Sequence, residues 1–388
     1  MRLFPERFDR QQFLTHYWQQ KPLLIRGEGA FADPLDADEL AGLACEEAVE
    51  SRLIRHDGHN SGWQLDHGPF DPQTLAGLGE RNFCLLVQAV DQWHPAARAL
   101  LQSFDFLPGW RLDDIMASCS GDGGSAGPHF DHYDVFLIQG AGRKRWQIGQ
   151  VCDADTPVDE DSGLRLMDNF EIHEEHEVQG GDILYIPARY AHHGIAIDTS
   201  LTWSVGFRAP SHAEIITGLA AFLADHCDPG QRYTDRQLTP PVHPGEIPES
   251  ATDQLESILN TLIDSTAITT WFGEHMTRPR YPELLVEDED DTGMSSHLAQ
   301  GKPLYKAPGA RFAFARHAGE LQVFADGQSL HCPNGLAPLV ESLCDHRLDR
   351  ITAAMETGRQ DAALSLLESL YNQGSLLKEP PYDDPDLE

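Results

Sequence analysis

Residues 127–140 read GPHFDHYDVFLIQG, and this stretch indicates both the fold and the chemistry of the chain. It contains a His-x-Asp pair, His129 and Asp131, followed at once by the predicted strand Tyr133–Gln139. Side chains two positions apart on a β-strand point to the same face. A histidine and a carboxylate on one face are two of the three ligands in the 2-His-1-carboxylate triad of non-haem Fe(II) oxygenases. The stretch therefore predicts an iron site on a β-rich fold.

The third ligand must be a histidine from a distant part of the chain. The stretch Gly180–Pro187 predicts a turn and a strand that ends at proline, and His192 follows five residues later. His193 follows His192 directly, so the residues alone leave both histidines open. His173 and His176 lie within the acidic segment Glu171–Glu177, which predicts a solvated surface rather than a metal site.

Three protein ligands on one face of the iron leave sites free for a 2-oxo acid and dioxygen. If the 2-oxo acid is 2-oxoglutarate, its distal carboxylate requires a cation inside the barrel. Lys144 lies on the predicted strand Arg143–Ile148, where it alternates in phase with Trp146 and Ile148. The apolar partners indicate that this face points inward. A lysine buried without an anion is costly, so Lys144 is predicted to bind the carboxylate. The alternative is a basic hairpin whose charges are all solvated.

The sequence pattern along the rest of the chain changes at about residue 82 and again after Arg208. Between about residues 82 and 210, short apolar runs separated by glycine predict a β-sandwich or barrel. The further predicted strands are Cys84–Val90, Ile183–Ile186 and Leu201–Phe207. Gly140-Ala141-Gly142 joins two predicted strands and indicates a hairpin.

After Arg208 the pattern becomes helical. Ser211 and Glu214 form a capping-box pattern, and apolar residues between 255 and 263 recur at helical spacing. Such a stripe favours a core-facing helix over an oligomer face. The acidic run at 287–291 predicts a linker. A hairpin at residues 312–323, followed by helices over 336–348 and 361–371, is typical of a winged-helix module.

The composition restricts the class of partner. The 388 residues carry a formal net charge of -34, which repels phosphate backbones and disfavours direct nucleic-acid binding. It favours encounter with a cationic protein, although a generally acidic proteome would give the same excess. Seven scattered cysteines without a C-x-x-C pair indicate reduced thiols. With no apolar run of the ~18 residues that span a bilayer, we expect no membrane insertion and a cytoplasmic location.

Together these residues resemble the JmjC-domain oxygenases, and among them the bacterial ribosomal oxygenases that hydroxylate an arginine of large-subunit ribosomal protein L-sixteen. The resemblance runs from near the N-terminus through Pro210 and more loosely to the end. The stretches that carry it are residues 127–140, Gly180–Pro187 with His192, Arg52-Leu53, His67–Phe70 and Ser204–Pro210.

The resemblance implies a role for each site residue. His129, Asp131 and His192 would bind Fe(II), and the offset from the strand end selects His192 over His193. Lys144 would bind the distal carboxylate of 2-oxoglutarate, with Ser120 as a second contact. Close relatives have arginine in place of Lys144, so the charge is kept while bidentate geometry is lost.

The resemblance also implies an architecture and an activity. The α+β fold would comprise a double-stranded β-helix (cupin/JmjC) core in residues 1–210, a helical dimerisation region in residues 211–285 and a winged-helix-like domain in residues 295–388. The homodimeric enzyme would be an Fe(II)- and 2-oxoglutarate-dependent dioxygenase. It would use O2 to form 3-hydroxyarginine in a basic ribosomal protein.

Three alternatives remain open at this point. A JmjC oxygenase with a histidyl or lysyl protein target would have the same iron residues. A metal-binding cupin without 2-oxoglutarate turnover would not need Lys144. A non-enzymatic nucleic-acid-binding regulator built on residues 295–388 is disfavoured by the acidic balance.

Overall fold

The computed structural model describes residues 3–29, 31–56, 62–159, 163–236, 238–240, 242–285, 293–317, 319–348, 350–351 and 360–382. These residues form two compact units. The first is the described part of Met1–Ala209, His346–Asp349 and Pro380–Glu388, and the second is that of Pro210–Asp345 and Arg350–Glu379. Within these ranges no helix is both long and apolar enough to cross a bilayer. The predicted linker at 287–291 lies outside the described residues.

In its described residues, the first unit is dominated by strands, with four short α-helices around them. The helices are α1 Arg10–His16, α2 Ala37–Leu43, α3 Pro72–Ala76 and α4 Pro95–Leu100. The strands are β1 Leu23–Ile25, β2 Ser51–Arg55, β3 Gln64–His67, β4 Phe83–Val87, β5 Leu112–Ser120, β6 Asp134–Gln139, β7 Arg143–Val151, β8 Val158–Asp159, β9 Leu166–Met167, β10 Glu174–Gln179, β11 Ile183–Ile186, β12 Tyr190–Ala196 and β13 Ser200–Phe207.

Two antiparallel sheets make up the core of this unit. The larger has the strand order β1-β11-β6-β13-β5-β4-β2-β3, and the smaller has the order β10-β7-β12. Apolar side chains from both sheets pack together in one buried cluster, which includes Leu137, Trp146, Val178 and Leu184. The sheets therefore face each other, and the predicted double-stranded β-helix is confirmed.

Strand β6 illustrates how the sequence pattern produces two hydrophobic layers. Val135 and Leu137 face the interior between the sheets, whereas Phe136 and Ile138 pack into a separate cluster on the outer face. That outer cluster contains Phe13 of α1 and the fully buried Trp203 of β13. Because both faces of β6 are buried, its central residues 135–138 are continuously apolar rather than alternating.

The predicted hairpin at Gly140-Ala141-Gly142 is wrong. Strand β6 pairs with β11 and β13, whereas β7 pairs with β10 and β12, so these glycines carry the chain from one sheet to the other. Gly142 has φ +70°, and a Cβ at Gly140 would overlap the Asp33 carboxylate. A short glycine-containing link between two strands is compatible with a hairpin and with a crossing from one sheet to the other, and only the pairing partners distinguish the two.

The second unit combines helices with two small antiparallel sheets. Its helices are α5 His212–His226, α6 Glu249–Leu262, α7 Ser265–Thr277, α8 Met294–Ala299, α9 Ala337–Cys344 and α10 Gln360–Asn372. Its strands are β14 Leu304–Lys306, β15 Phe312–His317, β16 Glu320–Ala325, β17 Gln328–Pro333, β18 Arg350–Ile351 and β19 Leu376–Leu377. The sheets are β15-β16-β17 and β18-β14-β19, so the predicted hairpin is present within a three-stranded meander.

Helix α6 forms where its periodicity predicts it, but its apolar stripe does not enter a core within the chain. Leu255 is 50% exposed and Leu259 is 53% exposed. The core-facing interpretation of this stripe is therefore wrong for the single chain. Ser211 and Glu214 do form the expected capping box at the start of α5. The division of this unit into regions 211–285 and 295–388 stays a prediction.

Candidate metal centre

Three side chains that are far apart in the sequence meet inside the first unit. Within the described residues, His129, Asp131 and His192 form the group of potential metal ligands, with one donor atom from each lying within 4.8 Å of the others. His192 Nε2 is 3.7 Å from Asp131 Oδ2, and the two imidazole ring centroids are 4.4 Å apart. Two imidazoles and one carboxylate at this spacing fit a ferrous ion with open coordination sites.

Backbone contacts orient both imidazoles. His129 Nδ1 lies 2.9 Å from the Gly127 carbonyl, and His192 Nδ1 lies 3.0 Å from the Tyr190 carbonyl. Only a protonated Nδ1 can donate to a carbonyl oxygen, so each Nε2 keeps its lone pair for a metal. Burial, followed by the proximity of His129, lowers the pKa of His192 to about 4, which also favours the neutral ligand.

The local backbone explains why the stretch contains these residue types. Gly127 has φ +81°, a left-handed backbone conformation that favours glycine, and a Cβ there would overlap Leu166 Cδ2. His129 and Asp131 precede β6 and are not within a regular strand, in contrast to the prediction. His129 is held instead by an isolated antiparallel bridge to His192 on β12. The Arg189 backbone N–H donates to the Asp131 carbonyl at 2.6 Å.

The other histidines lie apart from this centre. His193, the open rival of His192, packs its ring edge-on against Phe170, and burial lowers its pKa to about 4. It is not part of the metal-ligand group. His173 and His176 lie beside Glu171 and Glu174 at 3.8 and 3.1 Å, on the acidic segment where solvated residues were predicted.

Lys144 lies on β7 with its side chain directed inward. It is 4% exposed, and burial lowers its pKa. Among the described residues no carboxylate lies within ion-pair distance of its ammonium group, which is 5.6 Å from the centroid of Trp146. Ser120 is fully buried, and its Oγ has no hydrogen-bond partner within the described chain. A buried cation and an unsatisfied hydroxyl fit the distal carboxylate of 2-oxoglutarate.

The triad and Lys144 line one cavity of about 470 Å³. A chain of polar side chains forms part of its wall. Arg52 donates to Gln88 Oε1 at 3.4 Å, and Gln88 Nε2 donates to Asp114 Oδ2 at 2.7 Å. Asp114 is 5% exposed, so this carboxylate is held in an interior position. The cavity therefore combines a metal-ligand set, a cation and an anion.

Four carboxylates lie close to the ligand stretch in the sequence, namely Asp113, Asp114, Asp122 and Asp134. Of these four, Asp114 alone lines the cavity. Asp113 pairs with Arg208 at 2.8 Å, and Asp122 pairs with Arg81 at 2.9 Å. Asp134 is fully buried and accepts a 2.7 Å hydrogen bond from the Tyr185 hydroxyl.

Sequence reasoning missed two polar residues that the fold brings to the cavity region. Gln88 follows β4 in phase with the inward residues Cys84 and Leu86, so a polar residue at the end of an apolar face was the available signal. Ser200 begins β13 one residue before the predicted strand. Ser200 lies two positions before Thr202, which lines the cavity, so strand alternation could have placed both side chains on the same face.

Comparison with known proteins agrees with this geometry. Residues 99–215 match the model of the JmjC domain, and residues 257–377 match that of a ROXA-like winged helix. The chain is 36% identical over 371 residues to the ribosomal protein uL16 3-hydroxylase of Escherichia coli K12, covering 93% of this chain and 95% of that protein. It is 36% identical over 296 residues to a probable ribosomal oxygenase of Haemophilus influenzae, covering 74% and 72% respectively.

Solved structures give the same result. The crystal structure of Escherichia coli YcfD aligns with a TM-score of 0.84 and 34% identity over 98% of this chain and 100% of that chain. YcfD in complex with cobalt and 2-oxoglutarate aligns with a TM-score of 0.80 and 33% identity over 96% and 99%.

The fold, the ligand set and these matches define a JmjC-type dioxygenase that depends on Fe(II) and 2-oxoglutarate. A winged-helix domain follows the catalytic domain. At this identity and coverage, the chain belongs to the ribosomal oxygenase family.

Proposed function

We propose that this enzyme hydroxylates Cβ of an arginine in a large-subunit ribosomal protein, with His129, Asp131 and His192 as the iron ligands. The uL16 3-hydroxylase of Escherichia coli, which is similar over 93% of the chain, supports the class of substrate. With both bound, Fe(II) and 2-oxoglutarate activate O2 to insert one oxygen atom into a C–H bond, while the cosubstrate leaves as succinate and carbon dioxide.

The observation that carries the choice of arginine is the interior position of Asp114. Asp114 places a negative charge in the wall of the cavity, and a guanidinium can bind a carboxylate with two parallel bonds. Gln88 Nε2 donates to Asp114 Oδ2 and so fixes the orientation of this carboxylate in the cavity wall. The guanidinium lies several bonds from Cβ, so the anchored group and the reacting carbon occupy different parts of one cavity.

Each remaining residue has a role in positioning. Lys144 and Ser120 bind the distal carboxylate of 2-oxoglutarate and so orient its 2-oxo acid end toward the metal ligands. The hydrogen bonds from the two imidazole Nδ1 atoms hold both rings in place. Apolar side chains such as Trp146 and Leu137 limit the access of water to the cavity.

We also propose that the enzyme is a homodimer formed through α6. Exposed apolar side chains lie on α6, at its C-terminal end and on α7, and a second copy of the chain would bury them. The set comprises Leu255, Ile258, Leu259, Ile263 and Ile268. A ribosomal substrate agrees with the predicted cytoplasmic location, and the charge of -34 favours encounter with a basic ribosomal protein.

The test is mass spectrometry of ribosomal proteins from a host strain that lacks this gene. One large-subunit protein should lose the mass of one oxygen atom on an arginine. Wild-type enzyme should restore this mass, whereas Asp131→Ala should not. A modification on a histidine or lysine would favour the alternative JmjC targets. An unchanged set of ribosomal masses would refute the ribosomal assignment.

A further inference from the structure

Two buried serines are cross-strand neighbours next to residues that line the catalytic cavity. Ser120 on β5 and Ser200 on β13 are direct partners in the antiparallel register, and Cys84 on β4 pairs with Ser120 from the other side. Cys84 lines the cavity, and its thiol lies close enough to Lys144 to interact with it electrostatically. This row of residues therefore lies at the Lys144 end of the cavity.

The strand alternation directs both serine side chains inward. On β5, Asp114, Met116 and Ser118 line the cavity, and Ser120 continues the same alternation. On β13, Thr202 lines the cavity, and Ser200 precedes it by two positions on the same face.

Both hydroxyls lack a partner. Ser120 and Ser200 are 0% exposed, and within the described chain neither Oγ has a hydrogen-bond partner. Thr202 differs, because its hydroxyl lies 3.5 Å from Gln139 Oε1. Buried hydroxyls without partners are rare because each costs free energy, so two adjacent ones indicate a bound group that accepts hydrogen bonds.

The surroundings favour an anion as that group. Gly142, two residues before Lys144, packs so closely against β13 that a Cβ on it would lie 2.9 Å from the Ser200 Cα. Lys144 is buried without a carboxylate partner among the described residues. A lysine supplies a single point charge, whereas a carboxylate has two oxygens that accept several hydrogen bonds. Two hydroxyl donors would supply the directional contacts that the lysine lacks.

We propose that Ser200 is a third residue that binds the distal carboxylate of 2-oxoglutarate, alongside Lys144 and Ser120. This inference rests on the proposed assignment of those two residues to the cosubstrate. The Ser200 hydroxyl then contributes to selection of a 2-oxo acid that carries a second carboxylate at the correct distance. It plays no part in binding the metal or the protein substrate.

The test compares two ligands of the Co(II)-loaded protein, measured by anaerobic calorimetry without protein substrate. 2-Oxoglutarate reaches the Lys144 end of the cavity, whereas oxalate binds only at the metal. Ser200→Ala should raise the Kd for 2-oxoglutarate about tenfold, as expected for one hydrogen bond to a charged group. The Kd for oxalate should stay unchanged. Ser51→Ala removes a buried hydroxyl that bonds the Ala44 carbonyl elsewhere in the unit, and it should alter neither Kd.

An unchanged 2-oxoglutarate Kd in Ser200→Ala would overturn the inference, as would equal weakening of both ligands. Lys144→Ala distinguishes failure of the whole proposed cosubstrate site from failure of the proposed role of Ser200. If it leaves 2-oxoglutarate binding intact, the proposed cosubstrate site itself fails. If it weakens binding while Ser200→Ala does not, only the role of Ser200 fails. The measurement does not depend on which protein is hydroxylated.

Discussion

His129 and His192 are joined by a reciprocal pair of backbone hydrogen bonds. The His129 N–H donates to the His192 carbonyl at 3.0 Å, and the His192 N–H donates to the His129 carbonyl at 2.8 Å. The two proposed imidazole ligands are therefore fixed to each other by the backbone before any metal binds. Such preorganisation reduces the conformational entropy that metal binding would otherwise cost.

Loss of the carboxylate ligand should abolish the metal site. Removing residues that merely orient metal ligands weakens binding about 10–100-fold, so Asp131→Ala should weaken Co(II) binding by more than about 100-fold in calorimetry. Decarboxylation of 2-oxoglutarate should be lost as well. Asp122→Ala, which removes a surface carboxylate paired with Arg81, is the control and should bind Co(II) normally. Intact metal uptake and turnover in Asp131→Ala would contradict the proposed ligand set.

Replacement of the buried cation should affect the cosubstrate selectively. Lys144→Ala leaves the distal carboxylate buried without a counter-charge, so the KM for 2-oxoglutarate should rise about 100-fold or more. Lys144→Arg should retain most of the affinity because it keeps the charge. Arg145→Ala changes the next residue of β7, which is exposed, and should have little effect. A normal KM in Lys144→Ala would show that Lys144 does not bind the distal carboxylate.

Substitutions in the polar chain of the cavity wall should lower kcat/KM for the protein substrate but leave turnover of 2-oxoglutarate alone unchanged. Asp114→Asn should lower kcat/KM for a ribosomal protein substrate about 100-fold, because a guanidinium would lose its counter-ion. Gln88→Leu removes the hydrogen bond that orients Asp114 and should cost about tenfold. Turnover of 2-oxoglutarate without protein substrate serves as the internal control, and a parallel loss there would indicate general damage to the cavity.

Charge placed in the exposed stripe of α6 should dissociate the proposed homodimer. Leu255→Asp combined with Leu259→Asp would put two carboxylates where the apolar side chains of a second copy would pack. Light scattering should then give the monomer mass of 43.1 kDa. Glu256→Gln, on the same helix, should leave the mass doubled. A monomeric wild-type protein would refute the dimer.

The second unit should show a pH-dependent stability that originates at Asp326. Burial raises the pKa of this carboxyl to about 6, while its side chain accepts hydrogen bonds from the Arg311 backbone and the Ser375 hydroxyl. Because the pKa in the folded state exceeds the ordinary value of 3.8 for an aspartate, the folded state binds the proton more tightly. The contribution to stability is therefore present at low pH and is lost as the pH rises through about 6.

Asp326→Asn removes this titration and keeps a residue type that tolerates the positive φ at this position. From pH 5 to pH 8 the wild type should lose about 1 kcal/mol more of its free energy of unfolding than the variant loses. Denaturant unfolding at both pH values measures the difference. Equal losses in the two proteins would show that Asp326 does not titrate in this range.

Local features of the sequence predicted much of the site. The spacing of His129 and Asp131, the strand end before His192 and the alternation around Lys144 are short-range patterns, so they could be identified without a fold. The strands β6, β7, β11 and β13 were located for the same reason. Capping residues were equally informative, because Ser211 and Glu214 interact within one helical turn.

Long-range pairing could not be predicted from such patterns. The sequence by itself determined the residue types of the proposed metal ligands and the inward face of Lys144. Only the tertiary structure decided that the glycine link sends β7 into the opposite sheet and that Ser200 lies beside Ser120. It also decided that the α6 stripe lies outside the core of its own unit. The physical reason is that strand partners and helix partners are selected by burial over the whole chain, which short-range spacing does not encode.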